Sequence, residues 1–335
     1  MQKSVSGYRM LWQSTDAVLR GGSQVMFQNN PLCGLFFFIA VCIAAYQAQM
    51  SYIAVACLAG TAISTLTAAL SPRRQFALSQ GLYGYNGCLT GAALATFLAP
   101  GIALWVAIVF WSALSVWVME ITARWLSPWR LPVLTAPFVI VSWIALLASY
   151  HFSSLAAMHL PAPALPLVNT SLTALPPPDT LLKALLAGIS QVFLANNALA
   201  GGFILLGLAC ASLRAMGYAL LGATLALTFA ELLGAEPLTL GEGLYAFSAV
   251  LTAIAIGDTF RPAGRIAVAL SIAGIAGCVL LQGAFNTLLA PFGIPSLTLS
   301  FVLVTWGYLL TQPINAPTPD NTSPFTDLKE TKAHE

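Results

Sequence analysis

Thr135 and Thr298 are the residues of this chain best placed to handle a neutral polar solute. They stand in two versions of one block, LPVLTAPFVIVSWI (131–144) and IPSLTLSFVLVTWG (294–307), 163 residues apart. In each version a proline precedes the threonine by three positions, Pro132 and Pro295, beside a long apolar run. Proline removes a backbone donor and breaks or kinks a helix. Inside a bilayer, the carbonyls so freed are tolerated only where protein or a water-filled cavity satisfies them. A hydroxyl at each of two such breaks is what a polar-solute path would use. The competing reading is local: each threonine bonds its own helix backbone, as hydroxyls in membrane helices commonly do.

Two more blocks repeat in the same order. SQVMFQNNPLCG (23–34) answers SQVFLANNALAG (190–201), and GLYGYNGCLTGA (81–92) answers GLYAFSAVLTAI (243–254), at offsets of 167 and 162. The first pair places Gln24 and Gln191, each followed by two asparagines, at the edge of apolar runs. Polar side chains inside a membrane are costly and usually functional or turned inward, although helix capping is an open alternative for the asparagines. The glycine-rich second pair predicts short half-membrane or re-entrant helices. Tyr85 with Leu89, and Phe247 with Leu251, lie one helical turn apart and share a face. Core packing and pore lining both fit that stripe.

The elements that must position these residues follow from composition. The 335-residue chain is 58% hydrophobic and 7% charged, with a mean hydropathy of +0.83, where soluble domains carry about 25% charged residues. Several apolar runs approach the roughly 20 residues that span a bilayer as a helix. The expected fold is an all-α membrane protein of about ten transmembrane helices, in two inverted five-helix repeats with two half-membrane helices. The expected division is a cytoplasmic segment (1–20), a first repeat (21–150), an external linker (151–180), a second repeat (181–312) and a disordered cytoplasmic tail (313–335). With the N-terminus cytoplasmic and five crossings per half, 12 of the 13 Lys and Arg residues fall inside and only Lys183 outside, as the positive-inside rule requires. Equivalent loops also differ in sign: SPRRQ (71–75) is basic and ELLGAEPLTLGE (231–242) acidic. An odd number of spans per half puts equivalent loops on opposite faces, which makes the repeats inverted.

Several classes are excluded. A net charge of +2 does not suggest nucleic acid. Residues 1–30 lack the pattern of a removable signal peptide. The six cysteines form no C-x-x-C pair and read as small buried hydrophobes. No nucleophile–base set, metal cluster or nucleotide loop is visible, so neither an enzyme nor a cofactor is expected. Glu120 and Glu231 sit near span ends, and Asp258 has no evident place. A path without charges suits a neutral solute. Ion-coupled transport of another small neutral solute is the alternative, with Asp258 or Glu120 as its titratable group.

The LPVLTAPF block fits the L-P-x-x-T-x-P-F signature of the urea transporter family, and the duplicated Q-V…N-N and glycine–aromatic blocks resemble that family too. The resemblance covers nearly the whole chain outside the first twenty residues and the tail, and in length the chain resembles the bacterial members. It implies a multi-pass protein of the inner membrane, both termini cytoplasmic, assembled as a homotrimer in the lipid bilayer. Each protomer would hold a passive pore for urea, with other small neutral amides as further candidates. By matching position, Gln24 and Gln191 would stand at the two ends of the filter. Phe27, Tyr85 and Phe247 would form slots for flat urea, and Val25, Val192, Leu89 and Leu251 would narrow the middle. Thr135 and Thr298 would offer hydroxyls to the amide edge. Departures are Tyr85 where many members carry Phe, Leu194 in answer to Phe27, Ala246-Phe247-Ser248 in answer to Gly84-Tyr85-Asn86, and Leu299-Ser300 in answer to Ala136-Pro137.

Overall fold

The computed structural model describes residues 14–70, 75–166, 178–261 and 266–312. Residues 1–13 of the expected cytoplasmic segment, Arg73, Arg74 and Arg265, part of the linker and the tail expected to be disordered lie outside the described residues.

The described chain forms seven helices and then the same seven again. Helices α1 (14–24), α2 (Pro31–Gln47), α3 (Tyr52–Ala69), α4 (Gln75–Ser79), α5 (Gly84–Phe97), α6 (Ile102–Leu126) and α7 (Ala136–Ser149) make the first set. The second is α8 (Pro178–Ser190), α9 (Ala198–Ala211), α10 (Leu213–Leu232), α11 (Pro237–Gly241), α12 (Ala246–Ile254), α13 (Ile266–Leu289) and α14 (Leu299–Leu310). Short helices answer short ones, and the 25-residue α6 answers the 24-residue α13. Among the described residues, strand-like pairing is limited to one isolated bridge between Leu98 and Ala157.

Local chemistry sets the same boundaries in both halves. Asn30 caps α2, its Oδ1 accepting from the Leu32 and Cys33 N–H groups at 2.9 and 3.2 Å. Asn197 caps α9 by accepting from the Ala200 N–H at 2.9 Å. These asparagines therefore satisfy helix-start donors. The turns after α1 and α8 are tied by Ser23, which donates to the Gln28 carbonyl, and Ser190, which donates to those of Ala195 and Asn197. Within these turns Phe27 (φ 62°) and Leu194 (φ 56°) adopt left-handed backbone. Leu134 (φ 52°) and Leu297 (φ 49°), the residues just before the two threonines, do the same. Left-handed leucine and phenylalanine are uncommon and strained, and here the strain recurs at equivalent positions.

Among the described residues, four helices are individually long and apolar enough to cross a membrane: α3, α6, α10 and α13, two per half. The bent pair α8 and α9, turning by 70°, makes a fifth if it counts as one span. The other apolar helices, α2, α7, α12 and α14, are shorter. The outer side of α6 bears exposed Val106, Val109, Phe110 and Trp117. Trp125 and Trp129 pack edge-on near its end at 5.9 Å, beside Arg124 and Arg130, the arrangement of an interfacial aromatic belt.

Packing repeats as well. In the first half α5 lies against α3, α6 and α7; in the second, α12 lies against α10, α13 and α14. The α3–α5 approach depends on glycine, because a Cβ on Gly87 would strike the Gly60 carbonyl and the Ser64 hydroxyl. Small residues let helix backbones approach closely where lipid provides no hydrophobic drive. Between the halves, equivalent helices meet each other, α2 with α9 and α7 with α14.

Candidate functional site

Proline interrupts both apolar runs as expected. Residues 131–133 and 294–296 are non-helical, each followed by a two-residue turn that ends at the threonine and opens α7 or α14. The two threonines then meet: Thr135 Oγ1 and Thr298 Oγ1 lie 2.6 Å apart, both 3% exposed. Thr61, Thr65, Thr90 and Thr252 instead donate to the carbonyl four residues earlier in their own helices. The local back-bonding reading of Thr135 and Thr298 therefore gives way to a bond between the halves.

The carbonyls freed at the breaks have traceable partners. Trp143 Nε1 donates to the Pro295 carbonyl at 2.9 Å, and Trp306 Nε1 donates to the Pro132 carbonyl at 2.8 Å. Each indole thus serves the break of the opposite half. Such reciprocal contacts between equivalent residues are the pattern of an isologous interface. The Leu134 carbonyl accepts from the Tyr85 hydroxyl at 2.8 Å. Phe247, at the position equivalent to Tyr85, has no hydroxyl, and among the described residues the Leu297 carbonyl receives only Ser248 Oγ at 3.5 Å. That distance is the outer limit of a hydrogen bond.

The two breaks are braced differently. Asn86 Oδ1 accepts from the Phe138 N–H at 3.2 Å in the first turn of α7, and its Nδ2 lies 3.9 Å from Met119 Sδ. In the second half Ser248 stands in the place of Asn86, and Gln282 in that of Met119. Gln282 Nε2 donates to Ser296 Oγ at 3.2 Å, and Ser296 donates to Asn286 Oδ1 at 2.9 Å. Gln282 Oε1 is buried and has no hydrogen-bond partner among the described residues. Sequence reasoning passed over Gln282 and Asn286, although two amides in an apolar helix are the signal that would have found them.

The expected slot residues are distributed around this seam. The Phe27 ring meets Phe301, one turn past Thr298, edge-on at 5.9 Å, and meets Phe260 at 6.0 Å. Neither Phe260 nor Phe301 was among the expected residues. Tyr85 reaches the first break through Leu134, whereas Phe247 is half-buried. Leu89 and Leu251 are fully buried on α5 and α12, and Val25 and Val192 are buried in the turns after α1 and α8. Leu194 is half-buried in the turn that answers Phe27. Gln24 and Gln191 are anchored within their own halves: Gln24 Nε2 donates to the Gln80 carbonyl at 2.9 Å, and Gln191 Nε2 to the Glu242 carbonyl at 3.4 Å. The structure therefore joins the threonines, Tyr85 and Phe27 to the breaks, and ties the glutamines to carbonyls of their own halves.

The carboxylates considered for ion coupling are engaged elsewhere. Asp258 lies in a π-helical turn, Ala255–Thr259. Its Oδ1 is 3.5 Å from Arg214 Nη1, and its Oδ2 accepts from Ser212 at 3.3 Å. Glu120 accepts from the Tyr83 hydroxyl at 3.5 Å.

A helical architecture with apolar spans, in two like sets of helices joined by uncharged polar contacts at paired proline breaks, is that of a multi-pass membrane protein. The chain belongs to the urea transporter family, which matches residues 15–313. It is 31% identical over 309 residues to urea transporter 1 of Ovis aries and to that of Capra hircus, covering 89% of this chain and 77% of each relative. It is equally identical to urea transporter 1 of Mus musculus over 305 residues, with the same coverage. Membership makes the protein a transporter and not an enzyme.

Proposed function

We propose that the protein conducts urea passively across the inner membrane, along the seam between two inverted repeats (21–150 and 181–312). The observation that carries this reading is the meeting of Thr135 and Thr298, equivalent hydroxyls at unwound breaks of opposite halves, 2.6 Å apart. Urea is planar and neutral, with four N–H donors and one carbonyl. Removing its water without replacing those hydrogen bonds would cost several kcal/mol. Threonine hydroxyls and freed carbonyls along one edge would replace the lost acceptors. Phe27, Tyr85, Phe247, Leu89, Leu251, Val25, Val192 and Leu194 would supply flat apolar walls, where hydrated ions cannot recover their shells. Gln24 and Gln191 would mark the two ends.

The repeated helix order and the reciprocal tryptophan bonds support a pseudo-two-fold relation between the halves. The bias of basic residues supports inversion in the membrane, with both termini cytoplasmic. A ten-span count requires that shorter and bent helices complete the crossings begun by the four long ones. The homotrimer, the inner-membrane location and passage of other small amides rest on the family resemblance.

Stopped-flow urea efflux from proteoliposomes, with and without an imposed proton gradient, tests the reading. Fast efflux unaffected by the gradient is expected. Efflux no faster than from empty liposomes would overturn urea as the substrate, and gradient-dependent efflux would favour the coupled alternative.

A further inference from the structure

The two halves offer unequal acceptors at their breaks. In the first, the Tyr85 hydroxyl donates to the Leu134 carbonyl at 2.8 Å, a bond of ordinary strength. In the second, Phe247 has no hydroxyl to offer. The Leu297 carbonyl receives only the 3.5 Å contact from Ser248, whose side chain is shorter by a ring. Both carbonyls belong to left-handed residues that directly precede the paired threonines, so the two sites share one backbone geometry and differ in what covers the oxygen.

We infer that the Leu297 carbonyl is the acceptor this chain leaves open to a solute N–H, and that the Tyr85 hydroxyl masks its counterpart at Leu134. This inference rests on the urea-conducting reading and deepens it. A urea N–H arriving at Leu297 displaces a weak contact and leaves little unpaired. One arriving at Leu134 meets a carbonyl that already holds the phenol hydroxyl of Tyr85, a residue buried among apolar neighbours, and must share that oxygen with it or displace it. Tyr85 is thereby a specificity-determining residue: it removes one of two equivalent docking points and raises the urea concentration needed to fill the path.

The test is the concentration dependence of urea efflux in proteoliposomes holding full-length wild type, Tyr85→Phe and Phe247→Tyr. Removing the hydroxyl exposes the Leu134 carbonyl, and the half-saturating urea concentration is expected to fall about fivefold, the net value of a typical hydrogen bond. Adding a hydroxyl at Phe247 masks Leu297 and is expected to raise that concentration by a similar factor. A merely structural Tyr85 bond predicts a different outcome: lower maximal flux and lower thermal stability in Tyr85→Phe, at an unchanged half-saturating concentration. That result overturns the inference, as does a rise in that concentration. Should Tyr85→Phe fail to fold, Phe247→Tyr decides alone, an unchanged half-saturation being fatal. Wild-type protein without urea flux would instead sink the functional reading itself.

Discussion

Asn86 with Met119 and Ser248 with Gln282 occupy equivalent places in the two halves, and the amide has changed sides. In the first half it sits on α5 and accepts from the first turn of α7. In the second it sits on α13 and donates to Ser296 within the break itself. Each half therefore keeps one buried amide beside its proline break, while the groups it satisfies differ. In the first break the Pro132 and Leu134 carbonyls are held by Trp306 and Tyr85. The second has a weakly held carbonyl at Leu297 and an unpartnered oxygen on Gln282. The duplicated frame thus carries a tightly satisfied side and a loosely satisfied one. A polar solute crossing a seam has more to gain where acceptors are free.

The largest expected effect comes from the hydrogen bond to which both halves contribute the same group, Thr135 with Thr298. Thr135→Val and Thr298→Val should each lower urea flux by tenfold or more, since either change removes an acceptor from the path and leaves a solute N–H unpaired at about 1–3 kcal/mol. The double variant should be less impaired than the product of the singles, because both remove one shared bond. Stopped-flow efflux of the three variants measures this, and wild-type flux in either single variant would remove the threonines from the path.

Helix approach should separate the halves next. Gly87→Ala should destabilise by about 1–3 kcal/mol through overpacking, because its Cβ has no room against Gly60 and Ser64. Position 249, its equivalent, already holds a buried alanine, and Ala249→Gly should cost about 1 kcal/mol or less. Thermal unfolding in detergent compares the two, and equal shifts would contradict a greater need for glycine at position 87 than at position 249.

The exchanged amides give a subtler contrast. Asn86→Ala should cost about 1–3 kcal/mol by orphaning the Phe138 N–H. Gln282→Met, which copies the first half, should change stability by less than about 1 kcal/mol, because it removes an oxygen that is already unpaired and Ser296 retains Asn286. A Gln282→Met variant as damaged as Asn86→Ala would show that the second amide is fully used.

The smallest effect tests equivalence. Trp143→Phe and Trp306→Phe each delete one indole donor to the opposite break and should cost about 1 kcal/mol apiece. The two losses should agree closely, since each serves the same proline carbonyl from the other side. Unequal losses would break the symmetry that the reciprocal bonds suggest.

Much of this architecture was legible in the residues. Pro132 and Pro295 marked the breaks because proline's missing donor acts wherever it stands. The block repeats marked the duplicated helix order, and the apolar runs marked α3, α6, α10 and α13. The Asn-Asn pairs admitted a capping reading that Asn30 and Asn197 bear out. These are local properties, determined by a residue and its neighbours within a turn or two. What only the tertiary structure decided was partnership. The bond between Thr135 and Thr298 spans 163 residues of chain, and nothing within either block distinguishes it from a hydroxyl bonding its own helix. Tyr85 finding Leu134, Phe27 crossing to Phe301, and Gln282 replacing the amide of Asn86 all depend on how α5, α7, α13 and α14 dock. Hydrogen bonds and ring contacts act over a few ångströms, so which of several equivalent polar groups pair is settled by packing between distant segments.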